Sequence, residues 1–331
     1  MNLLQKVAIS TLGLSAMMSS AAVTLGGDAA SFDIFLMEGI DGRSFMEWKD
    51  DDNLETSFKG ALGLSDNSTV EKIEANVMIL EGSTLAQHTG AIVTNNDADF
   101  SAATILPSGT PTNTFIDDAN EQIEQYILDL RSLDEVPEQP DVRILIEGVD
   151  LGDGFVSVTY EAESQITVLD FDSINITDGS GITLKGRGEG FENDQFVIRI
   201  AYDLILGGKG GKGGKGGGGS TSGTAITLVN LDRDNVTWIT SDNSTVDLHK
   251  NGGANFEGII INPTEAGGST DRTIIGDVDF KGQVFARSLK MGTGMKFFGN
   301  SIPESPSIPE PASNLIICFL ATSSLLFRHR R

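Results

Sequence analysis

From Phe32 to Leu106 the chain alternates short apolar runs with turns rich in Gly, Asn and Asp, as in "FDIFLMEGIDG" and "HTGAIVTNNDADF". Spaced in this way, the runs predict many short strands. Between Arg143 and Leu206 the pattern returns as "VRILIEGV", "GFVSVTYEAESQITVLDF", "SINIT", "GITLKG" and "QFVIRIAYDLIL". Here Val156, Val158 and Tyr160 alternate with Ser157 and Thr159, so one side of that strand is buried and the other wet. One segment changes period. In "NTFIDDANEQIEQYILDLRSL" Ile116, Ile123, Tyr126, Ile127, Leu130 and Leu133 form a helical stripe. The spacing predicts a helix over 116–132, with Asp117 and Asp118 in its first turn and Arg131 near its end, as the helix dipole prefers. Its apolar face should pack along a sheet.

Residues 224–300 read as stacked strands of a β-solenoid, in which each strand points side chains into a common stack and Gly or Asn turns the corner. Phe256-Glu257-Gly258 and Phe280-Lys281-Gly282 are the internal echo, 24 residues apart. Between the strand-rich parts lies "GGKGGKGGKGGGGSTSG" at 207–223. It lacks proline, which argues against collagen, and no Ser or Thr follows a lysine as a phosphate loop requires. It reads as a flexible, solvated insertion. The expected organisation is therefore a signal peptide at 1–22, a β-rich body at 23–206 holding the helix, the insertion, solenoid strands at 224–300, and a sorting tail at 301–331.

The ends are different in kind. Lys6, an apolar stretch and the small residues Ser19 to Ala22 follow the order of a secretory signal peptide, with Ser20 and Ala22 suited to the cleavage site. At the other end, a Ser/Pro-rich stretch leads to Pro309-Glu310-Pro311. An uncharged run from Ala312 to Phe327 follows, and then Arg328-His329-Arg330-Arg331. As a helix that run is about 24 Å long, short for a bilayer core of about 30 Å, and the basic cluster would stay on the cytoplasmic side.

Composition narrows the partners. Lys and Arg total 23 against 47 Asp and Glu, a formal charge of −24. Such a surface repels nucleic acid and anionic lipid and attracts divalent cations or basic partners. Cys318, the single cysteine, lies in the tail, so the body has neither a disulfide nor a cysteine nucleophile.

Candidate chemistry is sparse. His88 and His249 belong to no zinc motif. Acid pairs such as Asp170/Asp172 and Asp277/Asp279 share a strand face and are the weak Ca²⁺ candidates, although none completes a calcium loop. No other cofactor is expected. A crystal- or ice-binding face needs regular Thr ladders, and Thr is irregularly spaced along the chain.

The three-part terminus resembles the PEP-CTERM sorting signal of Gram-negative bacteria. The resemblance implies recognition of Pro309, Glu310 and Pro311 by a membrane-embedded exosortase after Sec export. Arg328, Arg330 and Arg331 would lock a temporary C-terminal transmembrane helix, and the protein would end at the cell surface or outside the cell, associated with exopolysaccharide, other surface proteins or adhesion. The strands "NFEGIIINP" and "GDVDFKGQVFARSLKMGTG" resemble the choice-of-anchor A family through Phe280, Gly282, Val284, Ala286, Ser288 and Leu289. That resemblance implies a right-handed β-helix and surface display without shared catalytic residues. The expected fold is thus mainly β, a solenoid body with one packed helix. The expected function is non-enzymatic, and the competing one is a polysaccharide lyase or glycosidase, which would bring acids and a basic side chain together in a groove.

Overall fold

The computed structural model describes residues 23–39, 44–48, 56–73, 77–93, 100–133, 143–146, 149–151, 157–176, 180–206, 225–264, 273–292 and 295–299. The signal peptide, the Gly/Lys insertion and the sorting tail lie outside them. Among the described residues no helix is long and apolar enough to cross a membrane.

The strands are paired in parallel and in register in three columns, here faces A, B and C, so the body is a β-solenoid. Face A has an unusual order. Starting from one end it runs Thr104–Ile105, Thr84–Gln87, Ala61–Leu64 and Ile34–Leu36. Next come the last residues of Thr273–Ala286 and of Val246–Asn262, followed by Val236–Thr240, Gln195–Ile200, Ile166–Phe171 and Arg143–Ile146. The chain therefore starts in the middle of the stack and winds to one end. A helix carries it back, and it then winds from the far end towards its own beginning. Ile34 pairs with Val284, and Phe45 with Ser288, so the first coil sits directly on the last.

The helix is Thr112–Ser132, which starts four residues before the sequence pattern places it. Asp117 and Asp118 consequently fall in its second turn and not its first. The first turn is held by polar side chains: Asn113 Oδ1 accepts from the N–H groups of Thr89 and Gly109. Such local bonds carry no apolar periodicity, which is why the start was hidden. The stripe itself is buried as expected, with Ile116, Ile123, Tyr126, Ile127 and Leu130 packed on the outer side of face A against Phe35, Ala86, Val197, Ile239, Ile261 and Phe285. At 1.5 Å per residue its 21 residues span about 31 Å. The eight strands from Thr84–Gln87 to Ile166–Phe171 have seven spacings of about 4.8 Å, about 34 Å in all, so one helix spans most of the ten-strand face A.

Inside the solenoid, aromatic rings run through successive coils. Phe256 stacks on Phe280 at 5.2 Å between centroids, Phe280 on Phe297 at 5.0 Å, and Phe297 packs on Phe58 at 5.4 Å. Trp238 and Trp48 extend the row at its two ends. The echo of Phe, any residue, Gly therefore has four copies, at Phe58, Phe256, Phe280 and Phe297, stacked in register on face C. The glycine turns the corner from face C to face A. Gly258 and Gly282 have φ of 130° and 148°, and a Cβ on Gly282 would come within 1.9 Å of Gly258 O.

Two buried polar side chains fasten the helix and the meeting coils. Arg287 is almost fully buried. It donates to the carbonyls of Glu38 and Pro263 and to Glu124 Oε1 on the helix. Gln283 donates to the Phe32 carbonyl at 2.7 Å. Paired in this way, neither group leaves an uncompensated charge or donor in the core.

Candidate functional site

With face A covered, faces B and C remain as outer surfaces. On face B the outward row runs Asn175, Ile205, Asp247, and then Ile274, Lys290 and Glu47. It mixes charges and apolar groups without a repeat. Face C has one regular stretch. Ser157, Gly181 and Ala225 stand in register across three coils, and beside them Thr159, Thr183 and Thr227 do the same. Thr159 and Thr227 are exposed and Thr183 is half-buried. The next row starts with an ion pair, Lys185 Nζ to Glu161 Oε1 at 2.8 Å. A Thr ladder therefore exists over three coils, contrary to the expectation from spacing along the chain. Thr159 and Thr183 lie one 24-residue period apart, whereas the Gly/Lys insertion separates Thr183 from Thr227 and conceals the third step.

A second feature lies where the helix ends against face A. Arg131, Asp170, Asp172, Arg199, Thr240 and Ser241, with Phe171, Ile200 and Ile239, line a hollow of about 250 Å³. Three neighbouring strands supply its floor: Ile166–Phe171, Gln195–Ile200 and Val236–Thr240. Asp170 and Arg199 are register partners, and the guanidinium grips the carboxylate with two bonds, Nε to Oδ1 at 2.5 Å and Nη2 to Oδ2 at 2.7 Å. Above them Arg131 Nη2 meets Asp242 Oδ1 at 2.6 Å. This is a convergence of acids with arginines, yet Asp170 Oδ1 and Oδ2 are both held by the Arg199 fork.

Smaller polar clusters serve the fold. Asp194, fully buried, binds Arg187, which also stacks over the Phe191 ring at 4.0 Å; the hydrogen bonds that Arg187 donates to Asp194 raise its pKa. His88 sits between Asp66 and Asp117, 3.4 Å from each, and so links a coil to the helix. Tyr126 Oη lies 2.8 Å from Thr237 Oγ1, and burial pushes its pKa up to about 12 although the bond to Thr237 pulls the other way.

The weak calcium candidates are placed as follows. Asp170 is in the ion pair just described, Asp172 is exposed at the adjoining corner, and Asp279 is exposed on face C. The side chains of Asp277 and His249 lie outside the described residues, as do Ser20, Ala22, Pro309, Glu310, Pro311, Arg328, Arg330 and Arg331. Among the described residues no three His, Cys, Asp or Glu side chains are grouped as a metal site. Sequence reasoning missed Arg131, Arg199 and the Thr ladder. For the ladder, the Thr that directly follows Val158, Ile182 and Ile226 was the available signal.

These features define a class: a mainly β, parallel solenoid braced along one face by a single helix. Three solved structures are similar to it. An ice-binding protein from an Antarctic biological consortium has a TM-score of 0.48 at 15% identity, covering 84% of this chain and 90% of that one. The DUF3494 domain of Shewanella frigidimarina ice-binding protein 1 has a TM-score of 0.48 at 15% identity, covering 83% and 95%. The ice-binding protein LeIBP from an Arctic yeast has a TM-score of 0.47 at 16% identity, covering 85% and 96%. No protein-family model matches the chain, and no curated protein sequence does.

Proposed function

We propose that this chain is an exported, non-enzymatic surface or extracellular protein, a rigid scaffold that works through an uncovered face of its solenoid. The observation that carries this reading is the division of the surface. The helix packs over face A, faces B and C are left as outer surfaces with one regular Thr stretch on face C, and the hollow where acids and arginines converge has its buried carboxylate locked to Arg199. A carboxylate held by a bidentate arginine fork is a poor general acid or nucleophile, which disfavours a lyase or glycosidase. Export and sorting are read from the ends of the sequence. The signal-peptide pattern leads the chain to the Sec machinery. Pro309-Glu310-Pro311, the uncharged run and the terminal arginines present it to an exosortase-type enzyme, which releases it from the inner membrane to associate with exopolysaccharide or other surface proteins. The test compares the full chain with one lacking 301–331 in the native host, by fractionation and C-terminal mass analysis. Tail removal and departure from the inner membrane are expected; an uncut chain retained there overturns the sorting reading.

A second reading, adsorption to ice, is favoured by the ladder Thr159, Thr183 and Thr227. Strand stacking sets these hydroxyl and methyl groups about 4.8 Å apart on an uncharged strip, a repeat suited to an ordered water layer. If that strip works on ice, purified protein will inhibit ice recrystallisation and Thr183→Tyr will abolish the effect without lowering Tm. Absence of ice activity in the unsubstituted protein rejects it.

A further inference from the structure

We propose that the hollow at the end of the helix binds one uncharged sugar ring of a polysaccharide chain. The inference deepens the reading of the body as a polymer-associated scaffold and rests on it.

The donor set argues for the ligand class. Asp172 brings acceptors to the rim and Arg131 brings donors, while Arg199 and Asp170 hold one another in the wall. A bound anion needs donors alone and a cation acceptors alone; a polyhydroxyl ring needs both, because each hydroxyl donates and accepts. At about 250 Å³ the hollow is smaller than the roughly 300–1,000 Å³ of drug-sized sites, which suits one ring of a longer chain. It is also open at the corner of the solenoid, so the neighbouring units can continue outside.

Charge and energetics point the same way. The chain carries −24 overall, so an acidic polymer is repelled. The Arg199–Asp170 pair is largely buried, with side chains 14% and 12% exposed. As a fastener between coils, an apolar pair would serve at least as well, given the desolvation that a buried ion pair incurs. Placed in the wall of an open hollow, the pair instead offers a fixed polar surface whose geometry is set before a ligand arrives. Arg131 has the complementary position. Helix packing fixes its backbone while its side chain, 38% exposed, stays at the rim.

The test uses the protein as purified from its host and measures binding by calorimetry to cellopentaose, laminaripentaose and a neutral galactan, with polygalacturonate as the acidic control. Binding to at least one neutral glycan and none to polygalacturonate is expected, with at least a tenfold loss of affinity in both Asp172→Ala and Arg131→Met and no change in Tm. Those two side chains are at the surface, so folding survives their removal. Failure of all three neutral glycans overturns the proposal, as does binding that is indifferent to both substitutions. Release of new reducing ends overturns it in favour of an enzyme. Loss of glycan binding in a correctly sorted protein removes the hollow alone, and a sorting failure with glycan binding intact removes only the sorting reading.

Discussion

Gly282 shows how much one missing side chain decides. A Cβ there would lie 1.9 Å from the Gly258 carbonyl oxygen, at a φ of 148° that L side chains rarely adopt. Gly282→Ala therefore meets rigid backbone of the neighbouring coil and a strained dihedral together, at a cost of about 3 kcal/mol or more. The control is Gly26→Ala, where nothing lies within 4 Å of the new methyl group. Urea titration should show a large drop in midpoint for the first and almost none for the second; equal midpoints would refute the corner role. At this scale the sequence was half legible. Phe256 and Phe280 stood out because an unbroken 24-residue period separates them. Phe58 and Phe297 belong to the same stack, but Phe297 follows Phe280 by a shorter coil and Phe58 comes from the other end of the chain. No period along the chain could connect them.

Among the elements, the helix was read most directly, since an apolar stripe at helical spacing reports its own burial. Its six stripe residues are all buried under the same contact. The surroundings of Tyr126 were not legible, because they depend on which strand lies beneath. That strand supplies Thr237, and the buried phenol has a pKa near 12 against 10.0 for a free tyrosine. The sign follows from linkage. Between those values the unfolded chain loses the proton while the folded one keeps it, so folding stability is complete below pH 10 and falls as pH rises towards 12. A difference of that size corresponds to about 3 kcal/mol. Alkaline unfolding followed by circular dichroism should show this loss. Tyr126→Phe should give up about 1 kcal/mol at neutral pH with its hydrogen bond and fall less steeply above pH 10. An identical alkaline slope in both proteins would contradict the assignment.

For the molecule as a whole, a solenoid of mainly parallel strands was accessible from short strands and Gly corners, but the order of its coils was not. Strand order is a property of long-range pairing, and a sequence read from one end suggests coils stacked in that same direction. Here the coils of residues 34–105 extend the stack beyond residues 273–298, with pairs such as Ile34 and Val284 far apart in sequence. The Thr ladder was hidden for a related reason, since residues 207–223 lengthen the chain between two strands that pair in register. The arrangement makes a prediction for dynamics. In native-state hydrogen exchange the amides of Ile34–Leu36 should be as protected as those of Gln195–Ile200, because both strands are flanked on two sides. Fast exchange at 34–36 would mean that the two ends do not meet.

The docking of the first coil on the last has a bearing on export. A polypeptide threaded through a pore amino-terminus first delivers residues 34–59 long before residues 273–298, which must close over them. The early segment has only one neighbour until the trailing one arrives, like an arch awaiting its keystone. If the chain is exported as proposed, the seam between these two segments therefore stays open until nearly all of the chain has crossed.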